Sequence, residues 1–145
     1  METAFLFNIR KNDMIDGMGL AKGTKVLVTA GASGIGRTIA ETFEQAGAKI
    51  HICDNSDIAL EKCSTDHPSW GVTKCDVSNP SEVDTLFDEV QKNLSGLDVL
   101  VNNAGIAGPT SPVHEMDIED WNRTIEINLN GQFYCARRAV PMLRA

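Results

Sequence analysis

Residues 25–36 read KVLVTAGASGIG, a short β-branched run that leads directly into three glycines separated by small residues. Such a run is typical of a buried parallel strand. The glycines that follow either permit unusual backbone angles or let a phosphate approach the main chain. The rest of the sequence has to distinguish a plain turn from a phosphate-binding turn.

Four apolar runs alternate with amphipathic stretches along the chain. The runs predict strands at residues 25–29, 48–54, 70–77 and 97–101, and helical spacing follows each of them. The first helix is predicted from Gly36, a helix capped by Asn79 follows the third strand, and one long helix capped by Asp117 follows the fourth. Alternation of this kind predicts parallel strands joined by right-handed crossovers. We therefore expect an α/β fold, a doubly wound parallel sheet in three layers, with about four strands and four helices and hence an incomplete sheet.

Composition narrows the class of protein. The 145 residues carry 13 Lys and Arg against 20 Asp and Glu, a net charge of −7 that disfavours nucleic acid and anionic membranes as partners. No apolar run approaches the roughly 20 residues of a membrane helix. The four cysteines form no CxxC pair and have no histidine at ligand spacing. We expect reduced thiols, no metal site and a cytoplasmic location.

The three glycines, Gly31, Gly34 and Gly36, lie between the first predicted strand and the first helix. A dinucleotide-binding sheet places its pyrophosphate there, over the helix N-terminus. The spacing is GxxGxG and not the usual GxGxxG, so the turn alone also fits a site without a ligand. Asp54 ends the second predicted strand, where a carboxylate can accept hydrogen bonds from both ribose hydroxyls and would repel a 2′-phosphate. Asp54 therefore favours NAD over NADP.

Several short motifs occur together in a fixed order. They are TAGASGIG (29–36), CDV (75–77), NNAG (102–105) and WNRTIEINLNGQF (121–133). From about residue 23 to residue 145, the chain resembles the N-terminal half of a short-chain dehydrogenase/reductase. The resemblance implies a Rossmann-type fold and an NAD-binding domain over residues 21–145. Residues 1–20 have no clear period and are predicted to be an N-terminal extension.

The resemblance also implies a role for individual residues. The pyrophosphate would lie against Gly31, Ser33, Gly34, Ile35 and Gly36, the adenosine ribose against Asp54, the adenine against Asp76 and Val77, and the middle of the cofactor along Asn103, Ala104 and Gly105. Asn128 matches the asparagine of the catalytic tetrad, whose backbone carbonyl holds a water in a proton relay. Structural roles remain open: Asp76 and Val77 as a strand end, Asn103 as a link between strands, and Asn128 as an interruption of a buried helix.

The chemistry of the family uses a tyrosine, a lysine four residues later and a serine. Here the single tyrosine, Tyr134, is followed by Arg138, and it lies six residues after Asn128 in the same predicted helix. We interpret Tyr134 as a packing or interface residue, and the chain as truncated before the catalytic segment. The 145 residues alone are then expected to bind cofactor with little or no turnover.

Three functions remain open at this point. The first is an NAD-dependent oxidoreductase that transfers hydride between a secondary alcohol or ketone and nicotinamide. The resemblance implies that it assembles as a homodimer or homotetramer, as is common in the family. The second is a non-catalytic dinucleotide-binding or interaction module. The third is a Rossmann-like methyltransferase, which NNAG and the helix of Asn128 disfavour.

Ala30 departs from the family pattern, which has its first glycine directly after the threonine. Ala30 fits the turn without strain if Gly31 takes the unusual backbone angle. If Ala30 itself takes a positive φ, the turn is strained and cofactor affinity is in question.

Overall fold

The computed structural model describes residues 19–145, so most of the predicted N-terminal extension, residues 1–18, lies outside the described residues. The strands are β1 (Lys25–Thr29), β2 (Lys49–Asp54), β3 (Gly71–Lys74) and β4 (Val99–Val101). The helices are α1 (Gly34–Gln45), α2 (Asp57–Asp66), α3 (Pro80–Leu94), α4 (Ile118–Ile125) and α5 (Gly131–Leu143), with a π-helical segment at Glu126–Asn130 between the last two.

The four strands form one parallel sheet in the order β3-β2-β1-β4. Apolar residues of β1 and β2 alternate between its two faces, as the period of two along a strand requires. Val26 and Ile52 face α1 and α2, whereas Leu27 and Cys53 face α3 and α5. The predicted three-layer doubly wound sheet is thus confirmed.

The strand order reverses between β1 and β4. The chain passes from β1 outward to β3 and then returns to pair β4 with the other edge of β1. In doubly wound sheets, ligands bind in the crevice beyond the carboxyl ends of the strands at this switch point. The turn after β1 and the NNAG segment after β4 meet at this crevice.

Local capping explains where α3 begins. Asn79 accepts hydrogen bonds from the backbone N–H groups of Ser81 and Glu82, and Pro80 takes the first helical position. The Glu82 side chain reaches back to Asn79 Nδ2 at 2.9 Å. This arrangement satisfies N–H groups that a helix start leaves without partners.

Some predicted element boundaries were wrong. The third strand ends at Lys74 and not at residue 77, because β2 ends at Asp54 and the Asp76 N–H turns to the Glu82 carboxylate, 2.8 Å away. Helix α1 begins at Gly34, two residues earlier than predicted. The single long helix predicted after Asp117 is divided by the π-helical segment.

Candidate nucleotide-binding site

A cleft opens at the carboxyl ends of the strands. The polar part of its wall comes from the ends of β2 and β3, and the apolar part from the segment after β4 and from the π-helical segment. It is lined by Ala30, Asp54, Asn55, Cys75, Asp76, Val77, Ala104, Gly105, Ile106 and Ile127.

Ala30 takes the unusual angle in the turn after β1, with φ of 49°. Gly31 does not, because its N–H donates to the Cys53 carbonyl at 2.9 Å and so keeps the chain paired with β2. Gly31 is required for close approach: a Cβ there would lie 2.7 Å from Ile52 Cγ2. The alternative in which Gly31 relieves Ala30 is therefore wrong, and the turn contains a strained alanine.

The N-terminus of α1 has no side-chain cap. Ser33 occupies the N-cap position, makes no capping hydrogen bond, and is followed by no acidic residue in the first turn. Gly34 has a φ of 53° and open space where a side chain would project, and Ile35 is 76% exposed. Free N–H groups and the positive end of the helix dipole here suit an anion.

Hydrogen bonds join the ends of β1 and β4. Thr29 Oγ1 accepts from the N–H groups of Asn103 and Ala104, both at 3.0 Å. Asn103 Nδ2 donates to the carbonyls of Thr29 and Ala30 at 3.0 and 3.2 Å. The Asn103 side chain thus links the two strands and holds the carbonyl of the strained Ala30, which is the structural role left open by the sequence.

Asp54 lies beside the glycine turn at the end of β2. Its side chain is nearly buried, with a residue exposure of 8%. Oδ2 accepts from the Ala32 N–H at 3.3 Å and Oδ1 from the Ser56 N–H at 3.1 Å. The backbone of the turn therefore holds a carboxylate at the wall of the cleft.

Asp76 forms a tight cluster with residues of two other segments. Its Oδ1 accepts from the N–H and the hydroxyl of Ser78, and its Oδ2 accepts from Arg123 Nη2 at 2.7 Å. Partial burial acts to raise the pKa of Asp76, but the Ser78 hydroxyl and the Arg123 guanidinium outweigh it and hold that pKa below its usual range. Asp76 is therefore an anion at neutral pH.

Asn128 lies in the π-helical segment and holds the segment after β4. Its Oδ1 accepts from the Ile106 N–H at 2.8 Å, and its Nδ2 donates to the Ile106 carbonyl at 2.7 Å. Gly105 packs so closely that a Cβ there would lie 3.2 Å from Asn128 Oδ1. Short π-helical segments inside helices are frequent at functional sites.

The predicted site residues fall into two groups. Asp54, Asp76, Val77, Ala104 and Gly105 line the cleft itself. The others surround it from the turn, the start of α1 and the helix packed behind: Gly31, Ser33, Gly34, Ile35, Gly36, Asn103 and Asn128.

Several residues of the site are not predicted from the sequence, three of them with a clear structural role. Thr29 joins the two strand ends, Ile127 lines the cleft, and Arg123 binds Asp76. A helix pattern could place Arg123 on α4 but not opposite Asp76, 47 residues earlier in the chain.

Tyr134 lies outside the cleft. It is half-buried and packs against the apolar core on the α3 side of the sheet, with its ring 5.9 Å from that of Phe133. Within residues 19–145, no group of three or more His, Cys, Asp or Glu side chains is placed to hold a metal ion. No helix in that same range is both long and apolar enough to cross a bilayer.

Known proteins are similar to this chain in sequence and in fold. The family described as enoyl-(acyl carrier protein) reductase matches residues 29–145. A short chain dehydrogenase/reductase of Macrophomina phaseolina is 36% identical over 126 residues, which cover 83% of this chain and 72% of that protein. A 3beta-hydroxysteroid dehydrogenase of Eggerthella lenta is 37% identical over 122 residues, covering 81% of this chain and 47% of the relative.

Solved structures show the same likeness. A short chain dehydrogenase from Mycobacterium smegmatis superposes with a TM-score of 0.81 at 36% identity, over 90% of this chain and 56% of that one. A 3-ketoacyl-(acyl-carrier-protein) reductase from Brucella melitensis, complexed with NADH, gives a TM-score of 0.80 at 26% identity, over 83% of this chain and 50% of that one. The chain thus spans about half the length of these two structures.

Proposed function

Since the chain belongs to the short-chain dehydrogenase/reductase family, we propose that it is the cofactor-binding part of an NAD-dependent oxidoreductase that acts on a secondary alcohol or its ketone. One observation carries the proposal: an uncapped helix N-terminus and a nearly buried carboxylate stand side by side at the switch point of the sheet. Asp54 Oδ2 lies 3.3 Å from the Ala32 nitrogen, so the two features form one site.

The described residues fit a nicotinamide dinucleotide. Its pyrophosphate would lie over Ser33–Gly36, where backbone N–H groups are free and Gly34 leaves open space. Its ribose hydroxyls would donate to Asp54, and its adenine would enter the cleft between Asp76 and the apolar wall at Val77. Asn103, Ala104 and Gly105 would lie along its middle.

Asp54 gives the preference for NAD. A carboxylate accepts from ribose hydroxyls but repels a 2′-phosphate. The sequence places Ser33 before Gly34 and Asn55 after Asp54, with no basic side chain adjacent to either. Arg37 is held elsewhere, by Glu41 and Asp66, each at 2.9 Å.

Bound nicotinamide would supply the hydride donor or acceptor. The chain's own residues position it: Thr29 and Asn103 fix the turn, and Asn128 fixes the segment from Gly105 to Ile106. We assign to the Asn128 backbone carbonyl the binding of a water in the proton relay. The π-helical geometry of Glu126–Asn130 supports this assignment, because it shifts backbone pairing away from the regular pattern.

We expect the 145 residues alone to bind cofactor and to turn over little or no alcohol. Tyr134, the single tyrosine of the sequence, packs against the core and not at the cleft. Oxidation of a secondary alcohol with measurable NADH production by this chain would contradict that expectation.

Two further properties belong to the proposal. Exposed apolar side chains on the last helical region support assembly as a homodimer or homotetramer: Trp121, Leu129, Phe133, Val140 and Leu143. Four free, buried cysteines support a reducing compartment, the cytoplasm.

Calorimetric titration with NADH and NADPH tests the proposal. The wild-type chain should bind NADH more tightly than NADPH. In Asp54→Ala, NADH affinity should fall roughly ten- to a hundredfold, because hydrogen bonds to a charged acceptor are lost. The preference for NADH over NADPH should also fall, because the Asp54 carboxylate no longer repels the 2′-phosphate.

Asp57→Ala is the matched control. Asp57 is also an acid near the end of β2, but it pairs on the surface with Lys74 at 2.6 Å and its side chain is 74% exposed. Removal of the Asp57 carboxylate should leave the affinities for NADH and NADPH within about twofold of the wild-type values. Equal binding of NADH by wild type and Asp54→Ala would contradict the proposed site.

A further inference from the structure

Arg123 joins α4 to the segment that follows β3. Nη2 donates to Asp76 Oδ2 at 2.7 Å and Nη1 donates to Ser78 Oγ at 2.6 Å. The two groups are only partly exposed, the side chain of Arg123 at 44% and that of Asp76 at 31%. One guanidinium therefore holds both polar side chains of this segment in a fixed arrangement.

The hydrogen bonds of Asp76 leave room for one more donor. A carboxylate has about four acceptor sites. Ser78 uses two of them on Oδ1 through its N–H at 3.0 Å and its hydroxyl at 2.6 Å. Arg123 uses one on Oδ2. The remaining site is on Oδ2, and Asp76 itself lines the cleft.

Arg123 is a cation among several acidic side chains. Glu82 of α3 accepts a hydrogen bond from the Asp76 N–H. Glu126 Oε2 lies 3.8 Å from Arg123 Nη1, and Asp54 lines the same cleft. Without Arg123, the Asp76 carboxylate would face these acids with only Ser78 as its partner. The carboxylate would then be held less firmly in the orientation that Arg123 gives it.

We propose that Arg123 is a positioning residue for the cofactor's base, orienting Asp76 so that its free Oδ2 acceptor site takes a hydrogen bond from an exocyclic amino group. The inference rests on the proposed function and extends it to a choice between bases. A 6-aminopurine dinucleotide has a donor for that acceptor. A 6-oxopurine dinucleotide presents an oxygen there and is repelled.

The test compares two dinucleotides on three proteins. NADH and its reduced hypoxanthine analogue are titrated into wild type, Arg123→Met and Arg138→Met. Methionine keeps an unbranched apolar stem similar to that of arginine but removes the charge and the donors. Arg138 is a matched control, since it also bonds two acids, Asp84 at 2.6 Å and Asp88 at 2.8 Å, and lies outside the cleft.

Wild type should bind NADH more tightly than the analogue. Arg123→Met should weaken NADH binding roughly tenfold, the size of one hydrogen bond to a charged group. Its affinity for the analogue should stay within about twofold, so that the preference between the bases falls. Arg138→Met should keep the wild-type preference, and Arg123→Lys should restore part of it.

Two results would overturn the inference while leaving the proposed function intact. One is an unchanged preference in Arg123→Met. The other is an equal loss for both dinucleotides, which would mark Arg123 as a purely structural ion pair. Failure of wild type to bind either dinucleotide would instead contradict the proposed function, and the inference with it.

Discussion

Ala30 adopts a backbone conformation that residues with a side chain rarely take, with φ of 49°. Its surroundings leave little choice. Gly31 stays paired with β2, and Asn103 Nδ2 bonds the Ala30 carbonyl at 3.2 Å. Strained residues persist where neighbouring contacts over-determine them, and they cluster at ligand sites.

Replacing Ala30 with glycine should raise the free energy of unfolding by about 1 kcal/mol, because glycine takes a positive φ without steric cost. Urea unfolding measures this change. Ser95→Gly is the matched control, since Ser95 has a φ of 57° at the opposite end of the sheet. Both variants should be stabilised, whereas only Ala30→Gly should change the Kd for NADH. A destabilised Ala30→Gly would show that the turn is not strained.

The position of a functional side chain in the sheet could be predicted from the sequence more readily than the residues that it contacts. The carboxylate at the end of β2 and the acid after β3 could be placed at one edge of the sheet from strand order alone. The partner of Asp76 could not be predicted, because the pairing with Arg123 depends on how α4 packs across the sheet. The angle at Ala30 also depends on contacts from β2 and β4.

The elements themselves follow from local signals where caps are present. Asn79 accepts two hydrogen bonds and Asp117 one from the first turn of their helices, as their positions in the sequence predict. Boundaries without such signals were wrong. The end of β3 depends on where β2 ends, and the π-helical segment at Glu126–Asn130 interrupts the helical pattern without a side-chain cap at its start.

Strand β2 carries a histidine inside the sheet layer. His51 is fully buried; Nε2 lies 2.9 Å from Thr73 Oγ1, and Nδ1 has no partner among the described residues. Burial lowers the pKa of His51 to about 4, against a smaller opposing effect of Glu89. The folded state therefore holds the ring neutral where the unfolded chain would protonate it.

This lowered pKa makes the stability of the fold depend on pH. The unfolded histidine gains its proton below about pH 6.5, so stability is present above that pH and is lost as pH falls toward 4. Between pH 7 and pH 5, protonation linked to His51 should lower the free energy of unfolding by about 2 kcal/mol. Urea unfolding across that range measures it.

Carboxylates also make the free energy of unfolding depend on pH. The difference in this pH dependence between wild type and His51→Leu isolates the contribution of His51. The pH dependence should weaken in His51→Leu and stay unchanged in His114→Ala, because the His114 side chain is 75% exposed. Identical slopes in wild type and His51→Leu would contradict the burial of a neutral ring.

In the molecule as a whole, the strand order places the cleft at the carboxyl ends of the strands. The doubly wound architecture was predictable because alternating strands and helices permit few topologies. Membership in the short-chain dehydrogenase/reductase family removes the methyltransferase alternative. The substrate was not predictable, because the cleft described here is walled by residues proposed to contact the cofactor.

Amide chemical shifts can locate the binding of NADH at the switch point of this sheet, residue by residue. In a titration of the isotopically labelled chain with NADH, the amides of Ser33–Gly36, Asp54–Asn55 and Asp76–Val77 should shift in saturable fashion. The amides at the opposite end of the sheet, at Gly23, Gly47 and Gly96, should stay in place. Absence of saturable shifts, or shifts centred on that opposite end, would show that NADH does not bind at the switch point.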